Sequence, residues 1–237
     1  MKNAYITLLS SIDYIDAVKI LKKSLISVNS RYPLLVMITE DIVGFIDNDL
    51  KENSIVIKKI EYTKNVKEKF SNHSVLNTAS KVFLFSLKEY DKLLYIDADS
   101  IVLQNLDECF SRLDGTMLLY DSNDTGLSNF FLIEPKNHRE EYYLKLLQET
   151  DCFDGELLGD LFFYVRTSKE HQFEKEYSIS FLMLNEVEDL EKIKSIHFSG
   201  DFKPWKDNGY IFFNINELTK IQLKIIDLYE KYKEELK

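Results

Sequence analysis

The sequence predicts an α/β fold with a mainly parallel central sheet flanked by helices, and two observations support this prediction. Short apolar segments rich in Leu, Ile and Val alternate along the chain with segments of helical periodicity. Such alternation is typical of a parallel sheet that is covered on both faces. The composition agrees, because 237 residues with 45% hydrophobic residues and only 3 Pro and 7 Gly are expected to bury a large core without a linker.

The order of the elements follows from the apolar pattern. The predicted strands lie at residues 5–9, 34–38, 55–57, 93–96 and 130–133. The predicted helices lie at residues 17–26, 79–87, 138–148 and 218–237. We expect a single domain over residues 1–237 whose C-terminal amphipathic helix packs on its body. Docking of that helix to a membrane or a partner is the alternative.

Two acids one residue apart, Asp97 and Asp99, directly follow the strand predicted at 93–96. Residues i and i+2 of an extended chain point the same way, so both carboxylates are able to converge on one hard divalent cation. A strand end followed by a helix cap is the alternative, but the apolar residues 101–103 indicate further buried chain. Ligands bind at the carboxyl ends of parallel strands. We therefore expect this strand and the first one to end at the same cleft.

The motif Asp-x-Asp occurs a second time as Asp47-Asn48-Asp49, in a polar stretch of the chain. Asn and Asp favour turns there through local hydrogen bonds. We expect this copy to be a solvated turn, because no buried strand precedes it.

A second segment with functional character runs from His197 to Trp205 and contains the only Trp of the chain. A neutral imidazole at His197 suits a third ligand for an ion such as Mn²⁺. Gly200 allows close approach of the backbone to a ligand, and Lys203 is able to pair with a phosphate. A hydrogen-bonded His beside a surface Pro-Trp wedge is the alternative. Farther upstream, Asp154 lies beside glycines and is compatible with either a helix cap or a catalytic acid.

Charge, motifs and cysteines argue against several classes of protein. The net charge of −10 argues against nucleic acid or an anionic membrane as the main partner. The first predicted strand is not followed by Gly-x-Gly-x-x-Gly, which argues against a dinucleotide-dependent dehydrogenase. Cys109 and Cys152 lack paired spacing, so we expect free thiols and a cytoplasmic location. The apolar run at the amino terminus is too short for a signal sequence or a transmembrane segment.

Taken together, residues 4–205 resemble the metal-dependent glycosyltransferases of family 8, and their glycogenin-like members in particular. The matching motifs occur in the family's order: Tyr14, Lys81, the Asp97-Ala98-Asp99 triplet, the Asp154 region and the run His-x-x-Gly-x-x-Lys-Pro-Trp from His197 to Trp205. The resemblance implies a Rossmann-like GT-A fold and a divalent ion, Mn²⁺, with Mg²⁺ as the alternative. It also implies transfer of a hexose, with retention, from a UDP-sugar to a hydroxyl of a glycan, glycoconjugate or protein.

The resemblance further implies roles for single residues. Asp97, Asp99 and His197 match the metal ligands, and Asp154 and Lys81 match catalytic positions. The implied donor-binding residues are Leu8, Tyr14, Lys81, Asp97, Ala98, Asp99, Ser128, Asn129, Gly200 and Lys203. Tyr14 matches an aromatic residue that stacks on uracil, whereas Gly200 and Lys203 match diphosphate contacts. The implied partners are a UDP-sugar and a carbohydrate or glycoconjugate acceptor, with a homodimer as an allowed assembly.

The chain departs from the family pattern in two places. The signature Asp-Gln-x-x-Leu-Asn is Asp154-Gly155-Glu156-Leu157-Leu158-Gly159, so the Asp is kept and two polar residues are replaced by Gly. The polar triplet Asn-Ser/Ala-Gly is Leu127-Ser128-Asn129, or it is displaced by one residue. These losses leave open a catalytically impaired nucleotide-sugar-binding protein of the same fold. A nucleotidyltransferase is a third hypothesis, but it is expected to have a Gly-rich basic loop that residues 9–13 lack.

Overall fold

The computed structural model describes residues 1–60, 78–119, 126–149, 168–200, 202–205 and 218–236. Its strands are β1 (Asn3–Leu9), β2 (Leu34–Thr39), β3 (Ser54–Ile57), β4 (Lys92–Ile96), β5 (Ser100–Val102), β6 (Met117–Leu119), β7 (Gly126–Ile133), β8 (Gln172–Phe173), β9 (Ile179–Ser180) and β10 (Ser195–His197). Its α-helices are α1 (Ile15–Ser27), α2 (Asn48–Lys51), α3 (Glu140–Glu149) and α4 (Lys220–Glu234). Short 3-10 helices occur at Ile12–Tyr14, Val43–Phe45, Ala79–Ser86, Asp107–Ser111, Pro135–Asn137, Lys169–His171, Lys175–Tyr177, Phe181–Glu186 and Leu190–Lys192.

The described strands form two sheets. The larger has seven strands in the order β3-β2-β1-β4-β7-β6-β8. Its first four strands are mutually parallel, as are β6 and β8, whereas β7 runs antiparallel to both β4 and β6. The smaller sheet has three strands in the order β5-β10-β9. The predicted α/β fold with a mainly parallel sheet is therefore confirmed.

Both faces of the central sheet are buried, which explains the unbroken apolar runs of its strands. On β1, Ala4, Ile6 and Leu8 pack into one cluster with side chains of the 3-10 helix Ala79–Ser86. Tyr5 and Leu9 point to the opposite face and pack against α1. The strand thus alternates with a period of two between two hydrophobic clusters. Because β1 is parallel to β4, the two strands end at the same edge of the sheet, as expected.

A third hydrophobic cluster lies between the smaller sheet, α1 and α4. It contains Ile101 of β5, Phe198 and Trp205 from the segment after β10, and Tyr229 of α4. Thr219 and Gln222 form a capping box at the start of α4, which satisfies two backbone donors. The C-terminal helix therefore packs on the body, as predicted. Within the described ranges, none of the helices has both the length and the apolar content that crossing a membrane requires.

One local prediction is confirmed and another is wrong. The helix predicted at 79–87 is present over Ala79–Ser86, as a 3-10 helix. A repeat of three residues places Val82 and Phe85 on one face, and both are buried in the same cluster. Asp47 lies at the surface as expected, but it begins α2 instead of forming a turn, because its Oδ1 accepts the Leu50 N–H at 3.1 Å.

Candidate metal and nucleotide site

The two acids are held at the junction of the two sheets. Asp97 directly follows β4, and its N–H donates to the carbonyl of Asn129 on β7 at 2.9 Å, which extends the β4–β7 ladder by one residue. Asp99 directly precedes β5, and its carbonyl accepts the Phe198 N–H at 2.9 Å. The residues after the acids are a buried strand, so the alternative of a strand end with a helix cap is wrong.

Pairing of β5 with β10 brings His197 to the acids. The two strands are antiparallel, and His197 lies opposite Ser100. The Val102 N–H also donates to the buried Ser24 hydroxyl of α1 at 3.0 Å, which ties the smaller sheet to a helix of the larger one. His197 Nε2 lies 3.2 Å from Asp99 Oδ1 and 3.8 Å from Asp97 Oδ2. The structure thus brings together three residues that the sequence separates widely.

Asp97, Asp99 and His197 form a group, called here the metal group, that has the donor atoms of a cation site. One ligand atom from each residue lies within 4.8 Å of the other two. Two carboxylate oxygens and one imidazole nitrogen suit Mn²⁺. The same three donors suit Mg²⁺ less well, because Mg²⁺ prefers a shell made of oxygen atoms alone. The donor set therefore fits the divalent ion that the sequence resemblance implies.

A buried lysine contacts the second oxygen of each carboxylate. Lys81 Nζ lies 3.0 Å from Asp97 Oδ1, and Lys203 Nζ lies 2.5 Å from Asp99 Oδ2. Lys81 also donates to the Ser128 carbonyl at 3.3 Å, and Lys203 donates to the Phe198 carbonyl. The oxygens that face His197 are the other two, so each carboxylate contacts a lysine on one side and the imidazole on the other.

These neighbours change the ionisation of Asp99. Burial alone would raise the pKa of its carboxyl group, but the charges of protonated His197 and of Lys203, together with their hydrogen bonds, lower that pKa below its usual range. The lowered pKa favours the carboxylate form, which is the form that binds a metal.

Aromatic side chains lie on one side of the metal group. The rings of Tyr14 and Trp205 meet edge to face with their centroids 5.2 Å apart. Lys203 Nζ lies 5.9 Å from the centre of the Tyr14 ring and 5.6 Å from that of Trp205. Burial, with the charges of Asp99 and Asp97, raises the pKa of Tyr14. Trp205 is buried and packs against the core, so the alternative of a surface Pro-Trp wedge is wrong.

A cavity of about 670 Å³ lies against the metal group. Asp97, Ser128, Asn129 and His197 are among the residues that line it, together with side chains from residues 175–193. Its volume is in the range of small-molecule sites. Tyr14, Lys203 and Trp205 do not line this cavity. The cavity therefore reaches the metal group through Asp97 and His197, whereas the two aromatic residues lie near Lys203.

Two polar residues of the cavity lining contact each other. Asn129 is 6% exposed, and its amide donates to the Ser178 hydroxyl at 3.2 Å. The second polar atom of the same amide has no hydrogen-bond partner among the described residues. A sugar hydroxyl is a partner of the right chemistry for such an amide.

The remaining predicted residues lie in different surroundings. Leu8 and Ala98 are each 6% exposed and pack into the core. Gly200 is exposed in the turn between His197 and Lys203 and has a positive φ of 74°, a conformation that only Gly adopts readily. Asp154, Gly155, Gly159 and Cys152 lie outside the described residues. Cys109 is a buried free thiol.

Sequence reasoning missed three contributors to the site. Tyr95 donates its hydroxyl to Asp97 Oδ1 at 2.8 Å, and its spacing of two residues from Asp97 on an extended strand was a usable signal. Ser178 and the cavity wall at residues 175–193 carried no such signal. They belong to three short 3-10 helices, the two-residue strand β9 and the links between them, in which no long hydrophobic period develops.

Known proteins similar to this chain are glycosyltransferases. Galactinol synthase 3 of Arabidopsis thaliana is 29% identical over 151 residues, covering 62% of this chain and 43% of that protein. Human glycogenin-2 is 26% identical over 220 residues, covering 85% of this chain and 43% of that protein. The chain thus spans less than half the length of these relatives. None of the protein-family models searched matches the chain.

The fold comparison agrees with the sequence comparison. The structure of the galactosyltransferase LgtC in complex with donor and acceptor sugar analogues aligns with a TM-score of 0.61 at 12% identity. The alignment covers 98% of this chain and 95% of that one. At this identity the likeness concerns the fold. The chain is thus similar in sequence to the glycosyltransferases of family 8, and it has the GT-A glycosyltransferase fold.

Proposed function

We propose that this chain is a metal-dependent retaining glycosyltransferase that moves a hexose from a UDP-sugar to an acceptor hydroxyl of a carbohydrate or glycoconjugate. The observation that carries the proposal is the metal group, Asp97, Asp99 and His197, with Lys203 and Tyr14 near Asp99 and a cavity lined by Asp97 and His197. We take residues 1–237 as one nucleotide-sugar domain and the cytoplasm as its location, in keeping with the buried free thiol of Cys109.

Two features beside the metal group suit the two parts of a donor. The partly buried ring of Tyr14 offers a face for uracil, and Lys203 offers an ammonium group for a phosphate beside it. The cavity that Asp97 and His197 line has room for the transferred hexose and the acceptor. The diphosphate would then lie at the metal group, between the nucleoside and the hexose.

Departure of the diphosphate builds negative charge on its leaving oxygen. Asp97, Asp99 and His197 would hold a divalent ion, and such an ion would supply positive charge at that oxygen. Lys203 adds a second positive charge, and its burial at 7% exposure strengthens its interaction with the leaving phosphate. Asp154 is proposed to orient the acceptor hydroxyl for attack on the face from which the diphosphate leaves, which would account for retention.

The choice of Mn²⁺ follows from the imidazole in the metal group. His197 presents Nε2 to both acids, and a nitrogen ligand favours Mn²⁺ over the harder Mg²⁺. We therefore propose Mn²⁺ as the working ion.

Release of UDP tests the function directly. The protein is incubated with UDP-, GDP- and CMP-sugars and a panel of neutral saccharide acceptors, with Mn²⁺ or with EDTA. We expect UDP release and a glycosylated product from a UDP-hexose, with loss of both in EDTA. A protein that binds UDP-hexoses with Mn²⁺ but neither hydrolyses nor transfers them would be the nucleotide-sugar-binding protein, an alternative that the enzymatic relatives do not favour. Turnover of GDP- or CMP-sugars instead would reject the UDP assignment.

A further inference from the structure

With His197 neutral, as a metal ligand has to be, the charges of the metal group and of its two lysines balance before any cation is added. Asp97 and Asp99 contribute two negative charges, and Lys81 and Lys203, which pair with them, contribute two positive charges. The side chains of the two lysines are only 3% and 9% exposed. Solvent therefore screens these pairs little. A divalent cation that reaches this group meets carboxylates whose charge is already compensated.

Adding a cation alone leaves an excess of positive charge in a partly buried place. Such an excess is costly in a medium of low dielectric constant. A nucleoside diphosphate brings negative charges that restore the balance. The electrostatics thus favour joint binding of the metal and the diphosphate over binding of either alone.

The two lysines differ in what else they contact. Lys81 is anchored on the sheet, since its Nζ lies within 3.3 Å of the Ser128 carbonyl and 5.0 Å from the centre of the Tyr95 ring. Lys203 contacts Asp99 and the Phe198 carbonyl. Its Nζ also lies 5.9 Å from the centre of the ring of Tyr14, the residue proposed to contact uracil. It follows Gly200, whose positive φ turns the chain between His197 and Lys203. Of the two lysines, Lys203 is therefore the one that contacts an acid of the metal group and also lies near Tyr14.

We propose that Lys203 acts as an internal counter-ion of Asp99 that opposes binding of the metal alone, and that the diphosphate relieves this opposition by pairing with Lys203. The metal and the diphosphate then bind with positive coupling, and Lys203 is the residue that creates the coupling. The inference rests on the metal group of the proposed function, but it does not depend on sugar transfer.

Calorimetric titration of Mn²⁺ into the full chain, with and without saturating UDP, measures the coupling. In the wild type we expect UDP to tighten Mn²⁺ binding about tenfold or more, and Mn²⁺ to tighten UDP binding by the same factor, because coupling is reciprocal. An unchanged Mn²⁺ affinity in the presence of UDP would overturn the proposal.

The variant Lys203→Gln tests the residue. Gln keeps a hydrogen-bond donor for Asp99 and removes the charge. We expect Mn²⁺ alone to bind this variant about tenfold more tightly than the wild type, while UDP binds more weakly and the coupling shrinks. The matched control is Lys92→Gln, at a lysine 16% exposed that lies 3.4 Å from Glu134 outside the site, and it should leave Mn²⁺ binding unchanged. Mn²⁺ binding to Lys203→Gln that is equal to or weaker than wild type contradicts the proposal.

Thermal unfolding gives a second measurement, which remains informative if the Lys203→Gln variant is less stable than the wild type. Removing the charge of Lys203 leaves Asp99 uncompensated, so the melting temperature should fall. Mn²⁺ without nucleotide should then raise the melting temperature of Lys203→Gln by more than that of the wild type. An equal or smaller shift overturns the inference. A chain that shows the coupling but releases no UDP from any donor would refute the transferase and leave this inference standing.

Discussion

His197 Nε2 lies 3.2 Å from Asp99 Oδ1, although His197 ends β10 and Asp99 directly precedes β5. The contact depends on the antiparallel register in which His197 faces Ser100, the neighbour of Asp99. A slip of one residue would turn His197 to the other face of the sheet. The metal group is therefore set by strand pairing as much as by its three side chains.

Tyr14 is expected to contribute to nucleotide binding through its ring. Tyr14→Ala should weaken UDP binding in the presence of Mn²⁺ about tenfold or more, because stacking of a base on an aromatic ring contributes about 1–3 kcal/mol. Tyr14→Phe should bind nearly as well as the wild type, since it keeps the ring. Calorimetry measures both, with Tyr142→Ala as the control at a surface tyrosine that is 56% exposed. Equal UDP affinity in Tyr14→Ala and wild type would remove Tyr14 from the site.

Gly200 is expected to tolerate no side chain without a cost in stability. Its φ of 74° is left-handed, and a Cβ built there makes only an ordinary contact of 3.8 Å with Leu182 Cδ1. The cost of Gly200→Ala thus arises in the backbone and should be about 1–2 kcal/mol in the free energy of unfolding. Gly44→Ala is the control, because its Cβ would meet no atom within 4 Å and its φ is not positive. Urea unfolding compares them; equal effects of the two substitutions would refute the strain argument.

Asp114 is expected to stabilise the fold far from the metal group. Its Oδ1 lies 3.0 Å from His138 Nε2, and its two oxygens accept the Glu134 N–H and the Asn137 amide. Burial raises the pKa of Asp114, but these partners outweigh it and lower the pKa. Asp114→Asn should therefore lower the free energy of unfolding by about 1–2 kcal/mol at neutral pH.

The pH dependence of this effect follows from the sign of the shift. A carboxyl group whose pKa is lowered by folding stabilises the protein above its unfolded pKa, near 3.9, and loses this effect as the pH falls through the folded value. The difference between wild type and Asp114→Asn should be constant near pH 7 and shrink below about pH 4. Asp91→Asn, at a carboxylate 37% exposed on the surface, should have a smaller effect. A difference that grows on acidification would contradict the assignment.

Asp154 is expected to act in transfer and not in donor binding. Asp154→Asn should abolish product formation while UDP and Mn²⁺ bind as in the wild type, because the proposed role of this carboxylate concerns the acceptor. Turnover assays combined with calorimetry separate these two effects. Full activity of the variant would show that its assigned role is wrong.

The convergence of Asp97 and Asp99 was predicted from a geometry that the structure does not have there. The prediction assumed extended chain, in which residues i and i+2 point the same way, whereas residues 98 and 99 form a turn between β4 and β5. The buried strand β5 follows, as residues 101–103 indicated. The alternation of β1 and the packing of α4 were predictable because each depends on a hydrophobic period within one element.

Contacts across the fold were not predictable from local pattern. The pairs Lys203–Asp99 and Lys81–Asp97 join distant segments, and the sequence suggested a phosphate partner for Lys203 without indicating its ion pair with Asp99. The 3-10 geometry of Ala79–Ser86 is selected by burial of Val82 and Phe85 against the sheet, a tertiary effect that overrides helix propensity. The Asn129–Ser178 hydrogen bond likewise arises only when β7 meets residues just before β9.

The most direct test of the metal group compares the two Asp-x-Asp copies of this chain. Mn²⁺-dependent binding of UDP is measured by calorimetry for Asp99→Asn and for Asp49→Asn, whose carboxylate is 61% exposed and pairs with Lys22 on the surface. We expect Asp99→Asn to lose at least about tenfold in Mn²⁺-dependent UDP affinity, since it removes a charged ligand of the ion, and Asp49→Asn to match the wild type. Undiminished Mn²⁺-dependent binding of UDP by Asp99→Asn would contradict the account.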